Sequence, residues 1–180
     1  FTDVSVDWGL DQANFSNGAT YADLDNDGDL EIIVNNVDQS AQVYRNNSAN
    51  NYVKVKLKGD NNNKLGIDSR VIVETGSTSQ MQELTMSRGF QSSVPSYLNF
   101  GLGSDDEIKK ITVIWNNGNQ EVLSDVQINS TIEFDINNST PKESDIADDI
   151  NRYFESEDII DHKHEENIYN DYVKEVLLPH

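Results

Sequence analysis

The chain has 180 residues, 13 basic against 32 acidic side chains, a formal net charge of −19 and no cysteine. Such a charge repels polyphosphate and argues against nucleic acid as a partner, and the lack of cysteine excludes disulfides, thiolate metal sites and cysteine nucleophiles. No run approaches the ~18 consecutive apolar residues of a membrane-spanning helix. The charge is uneven: residues 1–50 carry nine acids and one base, residues 51–135 eleven and eight, and residues 136–180 twelve and four. Cations and basic surfaces suit the flanks better than anions do.

Residues 1–48 read as one unit of four short strands. Phe1-Thr-Asp-Val-Ser-Val6 alternates as a half-buried strand does. Trp8-Gly-Leu10 follows, then a polar connection through Asn17-Gly18. A strand at residues 18–22 leads into Asp23-Leu-Asp-Asn-Asp-Gly-Asp-Leu-Glu31, and Ile32, Ile33 and Val34 give the strand that leaves it. The fourth strand is expected at residues 41–46.

The 23–31 stretch is the chemical centre of this unit. Acids at positions 1, 3 and 5 of a tight loop converge on one hard cation. A glycine at position 6 permits the turn, and positions 7 and 9 complete the shell. Those positions are Asp23, Asp25, Asp27, Gly28, Asp29 and Glu31. A flexible oxygen shell rich in carboxylates fits Ca²⁺ better than Mg²⁺, which keeps its waters. An EF-hand is excluded, because its twelfth position needs a bidentate Glu and here it is Val34, between strands and not helices. Asp-Gly is also an ordinary hairpin turn, and an acidic solvated turn is the competing reading. Four crowded carboxylates repel one another, which favours the cation.

The whole of residues 1–48 resembles an FG-GAP/VCBS repeat, the blade unit of integrin-type β-propellers. The residues that carry it are the Phe1-Thr-Asp-Val-Ser5 start, Trp8-Gly-Leu10, the 23–31 loop and Tyr44-Arg-Asn46. The resemblance implies Ca²⁺ in the loop. One blade rarely buries its faces alone, so it is expected to lean on the rest of the chain.

Residues 51–136 change character. Strands are expected at 52–58, 70–75, 80–86, 97–100, 110–115, 120–123 and 131–136, with a hairpin signal at Asn116-Asn-Gly118. Tyr52-Val-Lys-Val-Lys-Leu-Lys58 alternates so that one face is apolar and the other lysine. Seven short strands predict an all-β fold, a β-sandwich or small barrel. The segment resembles the ASPIC/UnbV domain through Tyr52-Val-Lys-Val-Lys-Leu-Lys-Gly59, Gly66-Ile-Asp-Ser-Arg-Val71, Gln82-Glu83, Arg88-Gly-Phe-Gln-Ser-Ser93, Asn99-Phe-Gly-Leu-Gly103 and Val113-Ile-Trp115. Asp68-Ser69 and Asn116-Asn117 depart from that family's usual residues. Within it, Arg88, Phe90 and Gln91 are candidates to face a carbohydrate or protein ligand, by ion pairing, stacking and hydrogen bonding. The competing reading makes Gly89 and the serines a strand bend, with Arg88 paired to a nearby acid.

Residues 137–180 form an acidic tail. Asn137-Asn-Ser-Thr-Pro141 reads as a linker, and Ser144 caps a short helix expected to run to about Phe154. His162 and His164 beside Glu165 and Glu166 invite a metal, although two histidines are too few for a closed site. The tail's charge density favours a partly mobile segment, whereas Ile159, Ile160, Tyr169, Tyr172 and Leu177 favour docking on the sandwich, which is the expectation. Its His164-Glu-Glu-Asn167 and Leu177-Leu-Pro-His180 elements resemble the opening of a further propeller in long bacterial VCBS/ASPIC proteins. The chain therefore reads as a segment of such an exported protein, extracellular or at the cell surface.

No Gly-x-Ser-x-Gly elbow or phosphate loop occurs, and all three histidines lie in the last twenty residues. The expected function is a non-catalytic, calcium-binding module for binding or adhesion. The alternative is an accessory or catalytic part of a polysaccharide-acting enzyme.

Overall fold

Valine, isoleucine and aromatic residues at alternate positions favour pleated strands that bury one face. In the computed structural model, which describes residues 2–141, that preference dominates the chain. Three strands form an N-terminal antiparallel sheet in the order β1-β2-β3: β1 (Ser16–Ala22), β2 (Glu31–Asn36) and β3 (Gln42–Tyr44). The next eight are β4 (Asn51–Lys58), β5 (Arg70–Thr75), β6 (Ser79–Glu83), β7 (Tyr97–Gly103), β8 (Ile108–Ile114), β9 (Asn119–Val126), β10 (Ser130–Asp135) and β11 (Thr140–Pro141). They form a three-stranded sheet, β10-β4-β7, and a five-stranded sheet, β11-β9-β8-β5-β6.

These two sheets enclose one core, as the layers of a β-sandwich do. Val53, Val55, Leu98, Phe100 and Phe134 come from the smaller sheet, and Val71, Val73, Ile111 and Val113 from the larger. Trp115 closes the end of β8 at 2 % exposure. Strand β4 is the middle of its sheet, parallel to β10 and antiparallel to β7. The N-terminal sheet contributes nothing to this core. Its Ile32 and Val43 stay 37 % and 59 % exposed, and Trp8 and Phe15 beside it are exposed as well.

Three expectations need correction. Residues 2–6 are not a strand, so the N-terminal unit has three strands and not four. The Asp3 carboxylate accepts from both the amide and the hydroxyl of Ser5, and Trp8 and Leu10 amides fold back on Val4 and Ser5 carbonyls. Local Asx bonding of this kind competes with a ladder. Residues 137–141, expected to be a linker, hold a 3₁₀ turn (Ile136–Asn138) and then β11, which pairs with β9. The lysine face of β4 holds at Lys56 and Lys58, but Lys54 is buried. The helix expected from Ser144, the His162/His164 pair and the tail's docking residues lie outside the described residues.

Candidate metal centre

Ala22 pairs with Glu31, so β1 and β2 bring the two ends of the 23–31 loop together. Inside the loop, Asn26 (φ 62°) and Gly28 (φ 103°) turn the backbone through the left-handed region. Carboxylates accept from the loop's own amides: Gly28 N–H donates to Asp23 Oδ2 at 2.9 Å, Asp29 N–H to Asp27 Oδ1 at 3.1 Å and Leu24 N–H to Glu31 Oε2 at 2.8 Å.

The structure brings three of the five predicted acids together. One carboxylate oxygen each from Asp23, Asp25 and Asp27 lie within 4.8 Å of one another. Asp25 and Asp27 are exposed, and Asp25 meets Arg45 at 2.8 Å. Asp29 and Glu31 turn toward the following segment. Asp29 Oδ2 accepts from Ser48 N–H at 2.9 Å. Glu31, only 3 % exposed, takes the Asn46 amide on its second oxygen at 3.4 Å.

Electrostatically the loop is divided. Burial raises the Asp29 carboxyl, and the charges of Asp27 and Glu31 push it the same way, to about 6 against an ordinary 3.8; the Ser48 amide only partly opposes them. Burial acts on Asp23 as well. There it is outweighed by hydrogen bonds from Lys54 and Gly28 and by the Lys54 charge, which hold the carboxyl below its ordinary value. The Asp23 side chain is fully buried, and its Oδ1 has no hydrogen-bond partner among the described residues; nor does Asp29 Oδ1.

The residues that seat this loop come from the sandwich. Lys54 on β4 pairs with Asp23 Oδ2. Its Nζ also lies 5.6 Å and 5.7 Å from the ring centroids of Tyr52 and Tyr97, within cation–π range. Tyr97 Oη accepts the Asp23 amide at 3.1 Å, and Asn99 Nδ2 donates to the Gly28 carbonyl at 2.9 Å. Gly28 lies so close to Tyr52 that a Cβ there would sit 2.0 Å from the ring. Sequence reasoning missed all four of these sandwich residues. The one available signal was that a loop of this charge needs a cation from elsewhere, and β4 is lysine-rich.

The second predicted cluster lies between β6 and β7. A bridge joins Ser87 to Ser93, and Arg88 N–H donates to the Ser92 carbonyl at 3.2 Å. Gly89 (φ 76°) and Gln91 (φ 46°) form the tip. Phe90 and Gln91 face a cleft against β1, whose Thr20 hydroxyl donates to the Ser93 carbonyl. Arg88 is exposed, is not among the residues lining that cleft, and makes no ion pair among the described residues.

Residues 59–141 match the model of the family described as ASPIC and UnbV. The matched span begins directly after β4 and ends with β11. No curated protein matches the chain.

Proposed function

We propose that the 23–31 loop holds Ca²⁺ and that the molecule is a non-catalytic, calcium-stabilised module, used for binding or adhesion by an exported or cell-surface protein. The observation that carries this reading is the convergence of Asp23, Asp25 and Asp27 around a fully buried Asp23 whose Oδ1 lacks a partner among the described residues. A buried carboxylate oxygen left without a donor is costly, and a hard cation beside it removes that cost. The donor set is all oxygen and mostly anionic, which suits Ca²⁺. Asp23, Asp25 and Asp27 hold the ion. Glu31 braces the loop through two backbone amides, and Asp29 supplies further negative charge beside it. The N-terminal sheet is then a single FG-GAP/VCBS-type repeat, seated on the ASPIC/UnbV-like region through the loop.

Calcium's role is structural: it offsets the repulsion within the loop and stabilises the folded state by mass action. Calorimetric titration of the metal-stripped protein gives about one ion bound. Asp25→Ala and Asp27→Ala each weaken binding at least tenfold and abolish most of the calcium-dependent gain in melting temperature. Wild-type melting that is unchanged between calcium and chelator overturns the reading.

A further inference from the structure

We infer that the cleft between β1 and the 88–93 loop is a binding site for a neutral saccharide. The cleft measures about 280 Å³, near the lower end of the ~300–1,000 Å³ typical of small-molecule sites. The chain carries a charge of −19, yet none of the described residues lining this cleft is charged. Cations, phosphates and acidic ligands therefore find no counter-charge there.

The polar groups present are those that recognise hydroxyls. Asn17, Asn35 and Gln91 bring side-chain amides that each donate and accept, and none has a hydrogen-bond partner among the described residues. Phe90 stands at the rim, 60 % exposed, and offers a flat apolar surface. A pyranose ring has both features: hydroxyls that donate and accept, and an apolar C–H face that packs on an aromatic ring.

The backbone is shaped to present these groups. The ladder between β1 and β2 skips one residue between Ser16 and Gly18, which makes Asn17 the extra residue of a β-bulge. Bulges re-aim side chains and concentrate beside functional sites. Gly18 then lets the opposite wall approach: a Cβ there would meet Ser92 Oγ at 2.9 Å and the Phe90 carbonyl at 3.0 Å. Gln91 itself is held at φ 46°, a conformation that costs free energy in a non-glycine residue. The inference rests on the preceding reading in one respect: β1 and β2, which form one wall, are the strands joined by the proposed metal loop.

The test is a titration of the isotopically labelled full chain, in calcium, with cello-, malto-, manno-, xylo- and chito-hexaose, followed by amide chemical shifts. At least one of these shifts the amides of Asn17, Thr20, Asn35 and residues 90–93. Phe90→Ala and Gln91→Ala each weaken that binding at least tenfold, whereas Arg88→Ala leaves it within twofold. Shifts for none of the five sugars, shifts confined to other residues, or undiminished binding by Phe90→Ala overturn the inference. So does binding of polygalacturonate alone. The melting temperature of the same sample in calcium and in chelator reads the metal site separately. A calcium gain without sugar shifts overturns the saccharide site alone, and sugar shifts without a calcium gain overturn the metal site alone.

Discussion

Asp23 and Asp29 are six positions apart, yet their surroundings move them in opposite directions. Lys54 separates them: it reaches Asp23, while Asp29, among the described residues, is influenced by the acids Asp27 and Glu31 and by the Ser48 amide. Lys54→Met leaves the fully buried Asp23 charge without its ion-pair partner. Losing one partner of a buried pair costs about 3–5 kcal/mol, and denaturant melts in chelator show that loss. In saturating calcium the loss is smaller, because the metal takes over the compensation; an equal loss in both conditions means that Asp23 does not serve the metal. Gly28→Ala both places a Cβ against the Tyr52 ring and forces alanine to φ 103°. It costs about 2–4 kcal/mol by the same measurement. Asp29 gives the pH dependence. A carboxyl raised to about 6 from 3.8 keeps its proton in the folded chain after the unfolded chain has lost it. Folded protein then binds more protons between those values, so stability in chelator falls as pH rises through that window. Against Asp29→Asn, which has no such proton, wild type loses on the order of 1–3 kcal/mol between pH 4 and pH 7. A constant difference across that range overturns the burial of Asp29.

At the scale of elements, the hydrophobic alternation is a reliable guide where a strand lies against the core. β5 occupies the residues expected of it, and β4, β7, β8 and β10 differ from expectation only at their ends. Each of these strands puts valine, isoleucine, leucine or phenylalanine into one shared core. The failures lie where local chemistry or long-range charge decides. Residues 2–6 alternate, but Asp3 and Ser5 satisfy the backbone locally. β11 is two residues long and contains Pro141, which cannot donate to a ladder and so fits the sheet edge that it occupies. Lys54 belongs to an apparent solvent face and is buried by a loop 31 positions away. Of the acids in that loop, 23, 25 and 27 come together in the structure. Glu31 accepts from the loop's own Leu24 amide and from the Asn46 amide, and the second depends on the later course of residues 45–48, which spacing does not encode. The family match begins at residue 59, after β4, although β4 lies between β7 and β10. A chain of residues 59–141 lacks Val53, Val55 and Leu57 from the core and shows no cooperative melting, whereas residues 49–141 melt cooperatively. Within the full chain, Phe100→Ala costs about 3–5 kcal/mol because Phe100 is fully buried, and Val43→Ala, on an exposed sheet face, costs under about 0.5 kcal/mol.

At the scale of the whole molecule, a charge of −19 makes any cation stabilising to some degree, since counterions relieve self-repulsion wherever they gather. A specific site and a diffuse ion cloud must therefore be told apart. Diffuse relief depends on ionic strength and hardly on ion identity. At 0.15 M salt the screening length is about 8 Å and at 1 M about 3 Å, so added monovalent salt replaces it. Three carboxylate oxygens within 4.8 Å, one of them on a fully buried side chain, act on a cation over distances that salt screens poorly. For a site filled at a hundred times its dissociation constant, the stabilisation is about 2.7 kcal/mol, which for a chain of this size is a rise of about 5–10 °C. Melting in 0.15 M potassium chloride should therefore rise by that amount with calcium. At least half of the rise persists in 0.5 M potassium chloride, where diffuse relief is already supplied. Magnesium at the same concentration gives less than half of it, because its small, strongly hydrated ion fits a flexible carboxylate shell poorly. A calcium gain that vanishes in high salt, or that magnesium reproduces in full, assigns the effect to the overall charge and removes the loop from the account.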